Sequence, residues 1–177
     1  MAKESHCFHT EFYETIKRAE YRGGRERWAR VQHHTKNLDI FRLHNLYIPM
    51  HTKRTASGHW AQVVVDLRKR EVAYYDSATE DGLDKANLIL DYIEDQWRRK
   101  HVGKFQRTAW TCVGSDPSRV PQQGDTLDCG VYALIIALRL HKGISLTQTP
   151  IDATRERARI AHALFTGAEE AGSDNRL

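Results

Sequence analysis

The apolar positions of this chain follow two periods, and the switches between them lay out the elements in order. Phe12, Ile16 and Ala19 recur at helical spacing and predict a short helix over Glu11 to Ala19, with Tyr21-Arg22-Gly23-Gly24 as its flexible end. Strand-like runs follow at Ile40 to Arg42 and Leu46 to Pro49. Two more, Trp60 to Leu67 and Val72 to Tyr75, flank the polar cluster Arg68-Lys69-Arg70-Glu71 and read as a β-hairpin. Alternation along its second strand turns one of Tyr74 and Tyr75 to the core and the other to the opposite face. The stripe Ala86, Ile89, Leu90, Ile93, Trp97 predicts an amphipathic helix over Gly82 to Lys100. Beyond it the pattern predicts a strand over Lys104 to Cys112, a loop from Gly114 to Gly124 and a helix over about Cys129 to His141. A last helix, Thr154 to Phe165, precedes a Gly-, Glu- and Asp-rich tail from Thr166. Strands in the middle of the chain with helices on either side make the fold α+β.

One residue sits where that pattern meets chemistry. The polar loop Pro121-Gln122-Gln123-Gly124-Asp125-Thr126-Leu127-Asp128 delivers Cys129 to the start of the apolar run Val131 to Leu140. Unpaired N–H groups and the helix dipole at such a start favour thiolate over thiol. A cysteine nucleophile needs a base, and the base needs an orienting group. His59 opens the first hairpin strand and Asp76 follows the second, so an antiparallel pairing brings them to one edge although 17 positions separate them. Asp66, the rival carboxylate, lies towards the turn and is expected to end a strand or support the turn. Asp128 is expected to cap the helix that Cys129 opens. The other histidines, including His33-His34, His44 and His51, have no carboxylate or cysteine at ligand spacing, so no metal site is expected.

Composition narrows the setting. The 177 residues, 40% of them hydrophobic, suffice for one sizeable core. Three cysteines (Cys7, Cys112, Cys129) without CxxC spacing argue for reduced thiols rather than a disulfide framework. No apolar stretch reaches the roughly 20 residues that span a bilayer, and no signal-peptide core follows Met1. An intracellular location, nucleus or cytoplasm, is the expectation. The net charge of +4 is dispersed; its densest cluster, Arg22, Arg25, Arg27 and Arg30, contains a single aromatic, Trp28. Direct nucleic-acid binding is not expected from charge alone. A basic face would speed encounter with an acidic protein.

His59-Trp60, Val64-Val65-Asp66, Tyr74-Tyr75-Asp76-Ser77 and Gln122-Gln123 ahead of Asp128-Cys129-Gly130 resemble the ubiquitin-like protein proteases, the SUMO- and sentrin-specific group that is also similar to the adenovirus protease. The likeness covers residues 8–166, leaving 167–177 as a polar tail. The chain begins where family members already have helices carrying a Trp-Leu-Asn-Asp-like motif, and no such motif occurs in it. The resemblance implies a papain-like-superfamily domain, a central mixed sheet with the nucleophile at the N-terminus of a buried helix and helices on both sides. It further implies Cys129 as nucleophile, His59 as base, Asp76 as orienter, Gln123 as oxyanion-hole donor and Trp60 as a wall of the tunnel for a Gly-Gly tail. The implied activity is that of a thiol-dependent protease or isopeptidase cleaving after the C-terminal Gly-Gly of a SUMO-like modifier. It would act as a monomer, with no cofactor, on that modifier and its conjugates, and with no membrane partner. Three alternatives stand beside it: a non-catalytic binder of such modifiers, a deneddylase or deubiquitinase of the same fold, and an acetyltransferase.

Overall fold

Val63 and Val65 on one side of their strand, and Gln62 and Val64 on the other, are all buried, so this strand carries a layer on each face. It is β3 (His59–Asp66), the middle of five strands. The computed structural model describes residues 4–20, 28, 31–52, 58–78, 80–124, 126–147 and 149–173. β2 (Asn45–Thr52) and β4 (Glu71–Tyr75) flank β3 antiparallel. β1 (Ser5–Cys7) and β5 (Thr111–Val113) add parallel edges in the order β1-β2-β3-β4-β5, which makes the sheet mixed. The hairpin between β3 and β4 closes because the Asp66 carboxylate accepts the N–H groups of Arg68 and Lys69 at 3.1 and 2.9 Å.

Helices cover both faces. α1 (Glu11–Glu20) and α2 (Leu83–Lys100) lay Phe12, Ile16, Ile89 and Ile93 on Ile48, Val63, Val65 and Tyr74. α3 (Cys129–Lys142) packs on the other side, where Tyr132 and Ile136 meet Val120 and Tyr75. The two tyrosines of β4 therefore divide between the faces as alternation requires. α3 stops at Gly143, whose left-handed φ of 69° lets Gly143 and Ile144 donate back to Leu140 and Arg139. α4 (Ala153–Ser173) leans on α3. Among the described residues no helix is long and apolar enough to cross a membrane.

Several elements differ from the sequence pattern, each for a local reason. Ile40–Arg42 is a 3₁₀ turn, not a strand: the Asp39 carboxylate accepts the Phe41 N–H at 3.1 Å and Leu43 donates back to Ile40. The strand expected over Lys104 to Cys112 shrinks to Thr111–Val113, because α2 captures the segment before it. Phe105 is buried beside Trp97 and Trp110, and Arg107 bonds Asp91 and Glu94 at 2.8 and 3.0 Å. β1 is too short to carry a pattern and is set by its parallel pairing with β2. The last helix runs on through Gly167 to Ser173, since one interior glycine costs only about 1 kcal/mol. Trp28, the aromatic within the arginine cluster, belongs to the core: it is 6% exposed and edge-on to Tyr92. The turn at Tyr21-Arg22-Gly23-Gly24 and the arginine cluster Arg22, Arg25, Arg27, Arg30 lie outside the described residues.

Candidate active site

The hairpin delivers its two ends to one edge, as antiparallel pairing requires. His59 Nε2 lies 2.8 Å from Asp76 Oδ1, and the two residues are only 5% and 0% exposed. A carboxylate removed from water needs every oxygen engaged. Asp76 Oδ1 also accepts the Ala78 N–H at 2.5 Å, and Oδ2 accepts the Tyr74 hydroxyl at 3.1 Å. The Asp76 N–H donates to Ser115 Oγ at 3.0 Å, so the backbone is tied down as firmly as the side chain. Because Asp76 occupies Nε2, Nδ1 is the imidazole nitrogen left to exchange a proton. Asp66 sits at the far end of β3, opposite Glu71 and Asn45, occupied with the turn.

Cys129 is the first residue of α3, where the leading N–H groups of a helix have no intrahelical partner. That start lies against the opening of β3: a Cβ placed on Gly130 would be 3.5 Å from Trp60 Cδ1. The indole thus lies beside the backbone next to Cys129, at a distance where a methyl on residue 130 would make ordinary van der Waals contact. Trp60 is partly buried, its outer surface against His51 at a ring separation of 4.7 Å. His59 makes no hydrogen bond to the Cys129 thiol. Such nucleophile–base contacts are often long before substrate binds. Cys129 is partly exposed, and no disulfide engages any of the three cysteines. Burial pushes the Cys112 thiol up, away from the reactive thiolate form.

The two adjacent glutamines take different roles. Gln122 turns inward, donating Nε2 to the carbonyls of Asp76 and Val120 at 3.2 and 2.9 Å and burying an Oε1 that has no partner among the described residues. Gln123 stays partly exposed. Its Oε1 accepts the Ser77 hydroxyl at 2.7 Å, its N–H donates to the Ser77 carbonyl at 2.9 Å, and Nε2 donates to Thr126 O at 2.6 Å. An amide nitrogen carries two hydrogens, so one remains for another acceptor. Ser77, Ser115 and Gln122 escape sequence reasoning; only the Asp76-Ser77 and Gln122-Gln123 adjacencies hint at them. Asp128 occupies the N-cap position but makes no capping bond with its side chain. Its carboxylate instead pairs with Arg157, fastening α4 to the mouth of α3. Among the described residues no three His, Cys, Asp or Glu side chains converge as metal ligands would.

A thiol at a helix start, a buried imidazole–carboxylate pair and a steered amide beside them are the parts of a cysteine acyl-transfer centre. A family profile described as the Ulp1 protease family, C-terminal catalytic domain, matches residues 1–167, and the chain belongs to that family. It is 30% identical over 154 residues to sentrin-specific protease 2 of Homo sapiens, covering 86% of this chain and 24% of that protein. To ubiquitin-like-specific protease 1 of Saccharomyces cerevisiae it is 27% identical over 166 residues, covering 92% and 24%. The chain thus spans about a quarter of the length of these relatives. Among solved structures, the C-terminal Ulp1 protease domain in complex with Smt3, the yeast ortholog of SUMO, aligns with a TM-score of 0.71 at 24% identity. That alignment covers 94% of this chain and 70% of that one. Ulp1 with its catalytic cysteine oxidised to a sulfonic acid aligns at 0.70. These likenesses place the fold among the Ulp1-like α+β domains, with the mixed sheet and two-sided helices described above.

Proposed function

We propose that this chain is a thiol-dependent protease and isopeptidase that cleaves after the C-terminal Gly-Gly of a SUMO-like modifier inside the cell, releasing it from precursors or lysine conjugates. The observation that carries the reading is the fully buried Asp76 bonded to His59 at the open end of the β3–β4 hairpin, near the start of α3 at Cys129. The family supplies the substrate class, since named relatives are sentrin-specific proteases.

The reaction follows from the atoms available. His59 Nδ1 takes the Cys129 proton, and the thiolate sulfur attacks the carbonyl carbon of the terminal glycine. The developing oxyanion is held by the Cys129 N–H and the spare Gln123 Nε2 hydrogen, each such donor worth roughly 2.7–4 kcal/mol. The imidazolium returns its proton to the leaving amine, the C–N bond breaks and a thioester remains. Water, deprotonated by His59, then attacks the thioester and restores the thiol. Trp60, beside Gly130, serves as the flat wall along which the Gly-Gly tail lies.

The test is release of a fluorophore from the C-terminus of a SUMO protein. The chain should turn it over, and Cys129→Ser should lose at least roughly 10³-fold while still binding. Cys7→Ser and Cys112→Ser should keep full activity. A Cys129→Ser chain with more than a few per cent of the original rate would refute the assignment.

A further inference from the structure

Behind Asp76 the structure holds a second layer of charge that the mechanism above does not use. Tyr74 is 1% exposed and its hydroxyl lies between two carboxylates, 3.1 Å from Asp76 Oδ2 and 3.0 Å from Glu80 Oε2. A phenol has one hydrogen and can satisfy only one of them at a time. Lys85, in the first turn of α2, decides the competition. Its Nζ is 2.5 Å from Glu80 Oε1, its side chain is largely buried, and it stands 5.5 Å above the Tyr74 ring. With Glu80 neutralised by the ammonium, the phenol hydrogen is left to Asp76. The enclosure is tight: Gly82 has φ 65°, and a Cβ there would come within 2.1 Å of Tyr74 Cδ1. Burial first, then the Asp76 and Glu80 charges, hold the phenol far above its usual value, so it remains a donor at any working pH.

We propose that Tyr74, backed by the Glu80–Lys85 ion pair, is the positioning residue for Asp76, fixing its Oδ2 so that Oδ1 faces His59 and setting the negative charge that His59 feels. The inference rests on His59 and Asp76 being the base and its orienter. The neighbouring titratable groups are Cys129 at the start of α3, His51 opposite Trp60 on β2, Asp84, 3.5 Å from Lys85 Nζ, and Asp81, whose carbonyl accepts the Ser115 N–H.

The test reads the His59 imidazole by NMR titration in the full chain carrying Cys129→Ser, which needs no substrate and so stands or falls apart from the protease reading. Lys85→Met strips the compensating charge and should raise the His59 midpoint by roughly 0.3 unit or more. Glu80→Gln should lower it by a similar amount, and Lys85→Arg should leave it in place. In the active chain Tyr74→Phe should cut kcat roughly tenfold with KM unchanged, the loss of one hydrogen bond to a charge. If Tyr74→Phe does not fold, the Lys85 and Glu80 titrations decide alone. A His59 midpoint that moves by less than about 0.1 unit in both would overturn the proposal.

Discussion

Asp76 and Asp66 are chemically identical and ten positions apart, one just past β4 and the other at the end of β3, yet their surroundings assign them different work. Asp76 is sealed from water against His59, while Asp66 gives its oxygens to the backbone of the β3–β4 turn and to Lys69 at 3.3 Å. Asp76→Asn should therefore lower kcat by up to about 10⁴-fold, the size of the same change in a serine-protease triad, with a smaller effect on melting. Asp66→Asn should do the reverse. Parallel kcat and Tm measurements on the two variants check this, and a larger catalytic loss for Asp66→Asn would exchange their roles. Ser77 makes a subtler case. Its hydroxyl fixes which end of the Gln123 amide faces outward, so Ser77→Ala should lower kcat roughly tenfold, a fraction of what an oxyanion donor supplies, with KM little changed. An unaltered kcat would mean that Gln123 needs no steering.

At the scale of elements, the site is a meeting of one hairpin edge with one helix start, and α4 braces the helix. The Asp128 carboxyl is held below the usual carboxylate range, chiefly by the Arg157 hydrogen bond and then by Thr126. A lowered folded value means the bond's contribution is complete above the unfolded value of about 3.9 and disappears as pH falls through the folded one. Arg157→Ala should remove that dependence. Tm measured from pH 7 down to pH 3 should fall less steeply in the variant, and parallel curves would contradict the brace. Much of this layout was legible beforehand, because α2, α3, β3 and β4 each bury enough side chains to impose a period. Antiparallel pairing alone then places His59 near Asp76. Ile40–Arg42 and Lys104–Cys112 misled for the opposite reason: short apolar runs are settled by neighbours, Asp39 in one case and α2 in the other. Asp128 misled because a distant arginine outbid the local capping bond, and the Tyr74–Glu80–Lys85 cluster was invisible because it is a tertiary contact between unremarkable residues.

Across the whole molecule, the sheet and α3 meet at the site where Trp60 lies beside Gly130. If this contact forms a wall of the tail-binding tunnel, Trp60→Ala should raise KM and lower kcat together, since a misplacement of about 1 Å can cost ~10²-fold in rate. Discrimination between Gly-Gly and Ala-Ala tails should narrow in the same variant. Steady-state constants on both tails measure this, and indifference to Trp60 would remove it from the site.

The central claim is that Cys129 is the thiol that takes up the C-terminal glycine of a SUMO-like protein. Its most direct measurement is intact mass after incubation with a SUMO protein whose C-terminal carboxyl is replaced by a thiol-reactive group. The account predicts one adduct per chain, located at Cys129 by peptide mapping, abolished by Cys129→Ser and slowed by His59→Ala. Labelling at Cys7 or Cys112, or labelling that survives Cys129→Ser, would contradict it.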